Sequence, residues 1–124
     1  DVCQDRAQAL EDIIEAGCAR VLTSGGAASA PEGADAIAAL VKQAAGRIII
    51  MPGAGVTPEN VADLARKTGA REFHFSGRTA EPSPMRYRHE GVSMGGTVTI
   101  DEYAYLFTDP KKIRQAVEAL QALE

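Results

Sequence analysis

The apolar run Ile48-Ile49-Ile50-Met51, followed at once by Pro52-Gly53-Ala54-Gly55-Val56 and then by Thr57-Pro58-Glu59-Asn60, narrows the possible folds more than any other stretch. A short, β-branched, apolar run reads as a strand buried on both faces, the kind found in parallel sheets. Gly53 and Gly55 let the backbone turn tightly at the end of that strand. Thr57 is a good helix N-cap, and Pro58 suits the first helical position, where a missing N–H costs nothing. Strand, glycine loop and helix N-terminus in this order favour an anion at the loop.

The same order recurs on both sides of this stretch. Residues 5–16 read as a helix, with Asp5 as cap, Gln8 in the reciprocal capping position, and Ala7, Leu10, Ile13 and Ile14 as its apolar face. Arg20-Val21-Leu22-Thr23 reads as a strand ending in Ser24-Gly25-Gly26. Ser29 and Glu32 have capping-box spacing for a second helix, with Ile37, Leu40, Val41 and Ala44 inward. A third helix is expected from residue 58 to about 67, with Val61, Leu64 and Ala65 inward. Residues 71–75 then read as a third strand ending in Ser76-Gly77-Arg78. Strands alternating with helices through short connections mean a parallel sheet with right-handed crossovers.

Periodicity stops over residues 79–100, which hold Pro82, Pro84, Arg86 and Arg88 and read as a long loop placed to act as a lid. A helical turn with Tyr103 and Leu106 follows. Asp109-Pro110 then opens a last helix with Ile113, Ala116, Val117, Leu120 and Leu123 on one face. The 124 residues form a single domain of the α/β class, built of TIM-barrel-type (β/α) units. A complete barrel takes about 250 residues, so the expected architecture is about the second half of one. Such a sheet leaves both edges unpaired. The expected partner is a second copy or a complementary half-barrel. The first residue is Asp1 rather than Met, as in a fragment or processed chain.

Net charge is −4, which gives no footprint for nucleic acid. No apolar run reaches the roughly 18–20 residues that span a bilayer, and no signal peptide is recognisable. Cys3 and Cys18 form no metal or redox motif, and they read as reduced thiols of a cytoplasmic protein.

Strand alternation puts Glu72, His74 and Ser76 on one side and Phe73 and Phe75 on the other. The helix layer suits the phenylalanines, so His74 should face the interior; by the same parity Val21 and Thr23 point inward. Barrel sites form at the C-terminal strand ends. Ser24, Gly25, Gly53, Gly55, Ser76, Gly77 and Arg78 are therefore the candidate cofactor- or anion-binding residues, with plain turn chemistry as the competing explanation for the glycines. His74 and Asp1 are the candidates for acid–base work; His74 reads first as a hydrogen-bonded interior histidine, with general base and metal ligand as the alternatives. Arg86, Arg88 and His89 either clamp an anion or fold the loop onto Glu81, Glu90 or the rim, with Tyr87 packed on the barrel top. Met51, Met85 and Met94 are soft donors suited to Cu(I), but their spacing forms no motif and methionine usually packs.

Leu22-Thr23-Ser24-Gly25, Ile49 through Val56, Glu72 through Ser76, Ser83-Pro84-Met85-Arg86-Tyr87-Arg88 and Gly91-Val92-Ser93-Met94 together resemble the CutC family of copper-homeostasis proteins. Asp101-Glu102-Tyr103 and the closing helix fit the end of that family's pattern. The resemblance implies a TIM barrel, a cytoplasmic location, a link to copper tolerance and frequent dimers. It places copper-binding cysteines in an early segment that this chain does not contain, and Cys3 and Cys18 do not match them. Copper thus enters by resemblance alone. A barrel enzyme acting on a small phosphorylated or carboxylated metabolite is the alternative that the loops suggest.

Overall fold

The computed structural model describes residues 1–89, 91 and 101–123. The elements run α1 (Arg6–Glu15), β1 (Arg20–Thr23), α2 (Ala34–Ala44), β2 (Ile49–Pro52), α3 (Val61–Thr68), β3 (Arg78–Pro82), β4 (Ala104–Thr108) and α4 (Pro110–Gln121). β1 and β2 pair in parallel, Arg20 opposite Ile49 and Thr23 opposite Pro52. β3 and β4 form a separate antiparallel pair, Arg78 opposite Thr108.

Asp5 caps α1 as its sequence position requires, accepting from the N–H groups of Ala7 and Gln8. Gln8 does not return the favour: its Nε2 donates to Asp12 Oδ1, one turn on, at 2.9 Å. α2 begins later than the capping-box spacing implies. Ser29 and Glu32 do bond to each other, but they staple a turn that precedes the helix, whose N-cap is Gly33. α3 likewise starts at Val61 rather than Pro58. The carbonyl of Thr57 accepts from both Asn60 and Val61, so residues 57–60 form a tight turn ahead of the helix.

The helices lie on one side of the parallel pair, with α2 packed between α1 and α3, and α3 against α4. Leu10, Ile37, Leu40, Ile48, Ile50, Val61 and Leu64 make the core, and Val21, Phe73 and Phe75 pack against it. This corrects the parity expected for β1. Val21 faces the helices together with its register partner Ile50, whereas Leu22 faces away and is 50% exposed. Thr23 is buried. The phenylalanines do face the helix layer.

The region after β2 departs most from expectation. Residues 71–75 form no strand; among the described residues the backbone bond from His74 N–H to Pro52 O, 2.9 Å, ties them to the end of β2. The stretch read as one long loop opens with β3, and the helical turn expected around Leu106 is β4. Tyr105, Phe107 and Thr108 are strand formers, and that local preference prevails. Within the loop, Arg88 donates to the carbonyls of Ser83, Met85 and Tyr87 and lies 4.5 Å from the centre of the Tyr103 ring. Among the described residues it folds the loop through backbone carbonyls rather than through Glu81; Glu90 and Met94 lie outside the described residues. Tyr87 is exposed rather than packed on top. Of the stripe expected on α4, Ala116 is buried and Leu120 packs on the core, while Ile113, Val117 and Leu123 are exposed.

α1 is tied to the end of α2 by a paired contact. Arg47 donates to both carboxylate oxygens of Glu11, at 2.7 and 2.9 Å, and Gln43 adds a third donor. The hydrogen bond from Arg47, then that from Gln43, lower the Glu11 pKa to about 2. A depressed carboxylate contributes stability above its ordinary pKa, and loses it as pH falls toward the folded value. The urea midpoint of the wild type should therefore exceed that of Glu11→Gln at pH 7. The gap should narrow from about pH 4.5 downward and close near pH 2. A pH-independent gap would show that the pair acts by packing alone.

Candidate functional site

β1 and β2 end side by side, so the loops after them form one rim. The first loop already holds an anion, and it is the protein's own. Thr23 Oγ1 donates to Asp1 Oδ1 at 2.5 Å, Ser24 N–H to Oδ2 at 3.0 Å, and Gly26 N–H to Oδ1 at 3.0 Å. Gly25 and Gly26 both take positive φ, 73° and 75°, which turns successive N–H groups inward as in an anion nest. The Gly25 N–H is held by Thr23 Oγ1, and the Ser24 hydroxyl by Ala27 O. Asp1 is thus the ligand of this loop, its carboxylate held there by three donors.

The second loop is filled in the same manner by different groups. Gly53 N–H donates to Thr23 O, and Ala54 O accepts from Ala30 N–H, which locks the two loops together. Asn60 bridges the turn, accepting from Thr57 N–H and donating to Gly55 O, both at 2.8 Å. The Thr57 hydroxyl, and next its own N–H, hold the Glu59 carboxyl below its ordinary pKa. A side-chain anion therefore already sits at the turn where an external one was expected.

The candidate residues separate into three places. Gly53 meets His74, with 3.5 Å between His74 Nδ1 and a Cβ placed on Gly53. Gly55 sits against Ser29 and Pro31. Gly77 lies under α4, near Ile113 and Phe75, with its carbonyl accepting from Asp109 N–H at 2.9 Å. Ser76 is exposed beside it, and Arg78 is an exposed β3 residue whose carbonyl accepts from Lys112 Nζ. A cleft of about 60 Å³ beside β1 is lined by Asp1, Cys3, Arg6, Leu22 and Thr23.

The face of the parallel sheet turned away from the helices carries His74, exposed, with Leu22 and Met51 beside it. At the opposite end of that face Arg20 reaches across β2 to Glu72, donating from Nε at 2.6 Å and from Nη2 at 3.2 Å. This contact holds the Glu72 carboxyl below its ordinary pKa and raises that of Arg20. Neither this pair nor Asn60 was singled out by spacing. The available signal was the shared parity of Arg20 with Leu22 and of Glu72 with His74.

Among the described residues no group of three or more His, Cys, Asp or Glu side chains is placed to hold a metal. Cys3 and Cys18 are free and exposed. No helix among them is long and apolar enough to cross a membrane.

Parallel βα units with loops gathered at the strand ends define a mixed α/β protein. The chain belongs to the CutC family, whose sequence profile matches residues 1–79. A CutC family protein of Porphyromonas gingivalis is 53% identical over 123 residues, covering 99% of this chain and 50% of its own length. One from Chromobacterium violaceum is 52% identical over 120 residues, covering 97% and 48%. The crystal structure of the putative copper homeostasis protein CutC from Streptococcus agalactiae matches with 33% identity and a TM-score of 0.54, over 56% of this chain and 34% of that one. The chain spans about half the length of the curated relatives it matches.

Proposed function

We propose that this chain serves copper homeostasis in the cytoplasm as about half of a (β/α)₈ barrel, completed by a second copy or a complementary half. Membership of the CutC family carries this reading, and the likeness to the Streptococcus agalactiae copper homeostasis protein supports it. The consecutive units β1–α2 and β2–α3 support the barrel reading, and the free thiols of Cys3 and Cys18 are compatible with a reducing compartment. Copper enters as cargo. No ligand set for copper is assigned to this chain.

The test uses a bacterium deleted for its own CutC relative. It is supplied with that relative after the matching half has been replaced by this chain. Growth in copper salts should return to the parental level. A deletion strain no more copper-sensitive than its parent would overturn the reading. So would a chimera present at normal abundance that leaves sensitivity unchanged. A Cu(I) affinity weaker than about micromolar for the chain alone would remove direct binding while leaving the physiological role.

The second reading, a barrel enzyme acting on a small phosphorylated or carboxylated metabolite, is favoured by one observation. The Thr23–Gly26 loop has the donors to hold a carboxylate and does so with Asp1. A sulfate bound at that loop in a crystal of Asp1→Ala would support it, and an empty loop at high sulfate would count against it.

A further inference from the structure

We propose that the groove between the C-terminal ends of α3 and α4 is a binding site for a small amphiphilic anion, an apolar body that carries one carboxylate. The proposal is independent of the half-barrel and copper readings, because both helices and the corner between them belong to this chain.

The groove is preformed. Gly69 ends α3 at φ 73°, and its N–H donates to Ala65 O at 2.9 Å. The Thr68 hydroxyl donates to Leu64 O at 2.7 Å and accepts from Ala70 N–H at 3.1 Å. These bonds fix the corner where the chain leaves α3, and α4 packs against α3 on the other side. The cavity left between them measures about 730 Å³, the size of a small-molecule site.

Its lining sets the chemistry of the ligand. Phe73, Leu120 and Leu123 give it an apolar wall, and the first two rest on the core. Leu123 is 38% exposed, so an apolar guest would cover surface that now meets water. Arg66 and Arg71 supply charge, and no acidic side chain lines the groove with them. Arg66 is held by Asp63 at 3.2 Å, whereas Arg71 has no hydrogen bond or ion pair among the described residues.

Two helix C-termini end at this groove, each worth about half a negative charge. The last turn of α3 answers its own with Arg66 and Lys67. The full charge of Arg71 therefore sets the sign, and its planar fork matches a carboxylate. The helix ends still oppose an anion that brings no apolar body. The body supplies the affinity and Arg71 the orientation.

The test titrates this chain with octanoate and follows backbone amide and methyl resonances, with acetate, octanol and octylamine as comparison probes. Octanoate should shift the signals of Gly69, Ala70 and Leu123, and bind about tenfold or more tightly than each of the other three. Arg71→Gln, at an exposed position, should weaken octanoate by about tenfold and leave octanol unchanged. Ala65→Leu, which fills the groove from α3, should weaken both. Lys111→Gln, at the far end of α4, should change neither. Should Ala65→Leu fail to fold, thermal unfolding gives a second measurement: octanoate should raise Tm in the wild type and not in Arg71→Gln. No binding of octanoate, octanol or octylamine bound as tightly, or an Arg71→Gln chain of unchanged affinity would each overturn the proposal. So would shifts confined to Val41 and Ile49, which line the smaller cavity on the other side of Arg71. A dimer that buries the groove and excludes octanoate would make a second copy the occupant, and would overturn it too.

Discussion

Among the described glycines, Gly33→Ala should be the most damaging replacement, costing about 3 kcal/mol or more and roughly 10 °C in Tm. The backbone there is ordinary, φ −90° and ψ 12°, so no left-handed strain is involved. The obstacle is space. A Cβ would fall 1.9 Å from the carbonyl oxygen of Ser24 and 3.1 Å from Gly25 Cα, both main-chain atoms of the loop that holds Asp1. Backbone cannot swing aside as a side chain does, so α2 must lift off the end of β1. Gly53→Ala supplies the contrast. Its Cβ would meet Leu22 Cδ1, the far end of a flexible and half-exposed side chain, and should cost much less. Thermal unfolding of the two variants side by side checks the claim; equal losses would refute it.

Ile37→Ala follows in size. Ile37 is 0% exposed, sits in the first turn of α2, and belongs to the cluster that joins α1, α2 and α3 to the sheet. Removing its three outer carbons forfeits their burial and leaves a cavity, about 3–4 kcal/mol for a site that cannot collapse. Collapse is restricted here because both neighbouring helices are anchored elsewhere, α1 through Glu11–Arg47 and α3 through the turn at Asn60. A domain of this size has only about 5–15 kcal/mol in total, so the variant should lose a large share of its stability. Urea denaturation that shows a loss under about 1 kcal/mol would mean that the cluster is loosely packed.

The parallel core was legible because its residues are periodic. The triple isoleucine, the stripes of α2 and α3, and the glycines that close the helices each state one local preference, and tertiary packing agrees with it. The parity of β1 was misread because Val21 and Leu22 are equally apolar. Only the register with Ile50 and Met51 shows which one meets the helices. β3 and β4 were missed for the opposite reason. Arg78-Thr79-Ala80-Glu81-Pro82 has almost no strand propensity of its own, and it pairs because Ala104–Thr108 supplies it. At the rim, the sequence drew attention to loops without showing which of the chain's own groups fill their donors. That Asp1 and Asn60 already fill the loop donors depends on contacts between groups 22 to 25 residues apart in one case and on a three-residue side-chain bridge in the other.

The Arg20–Glu72 fork also has a place in time. It joins residues 52 apart in sequence, and everything between them is α2, β2 and α3. Closing a loop of that length gains nothing until the intervening helices have docked, because their burial must first offset the chain entropy. Local helices form in about a microsecond, and contacts of long sequence separation come later. The fork is therefore a late clasp, set after the layers it spans.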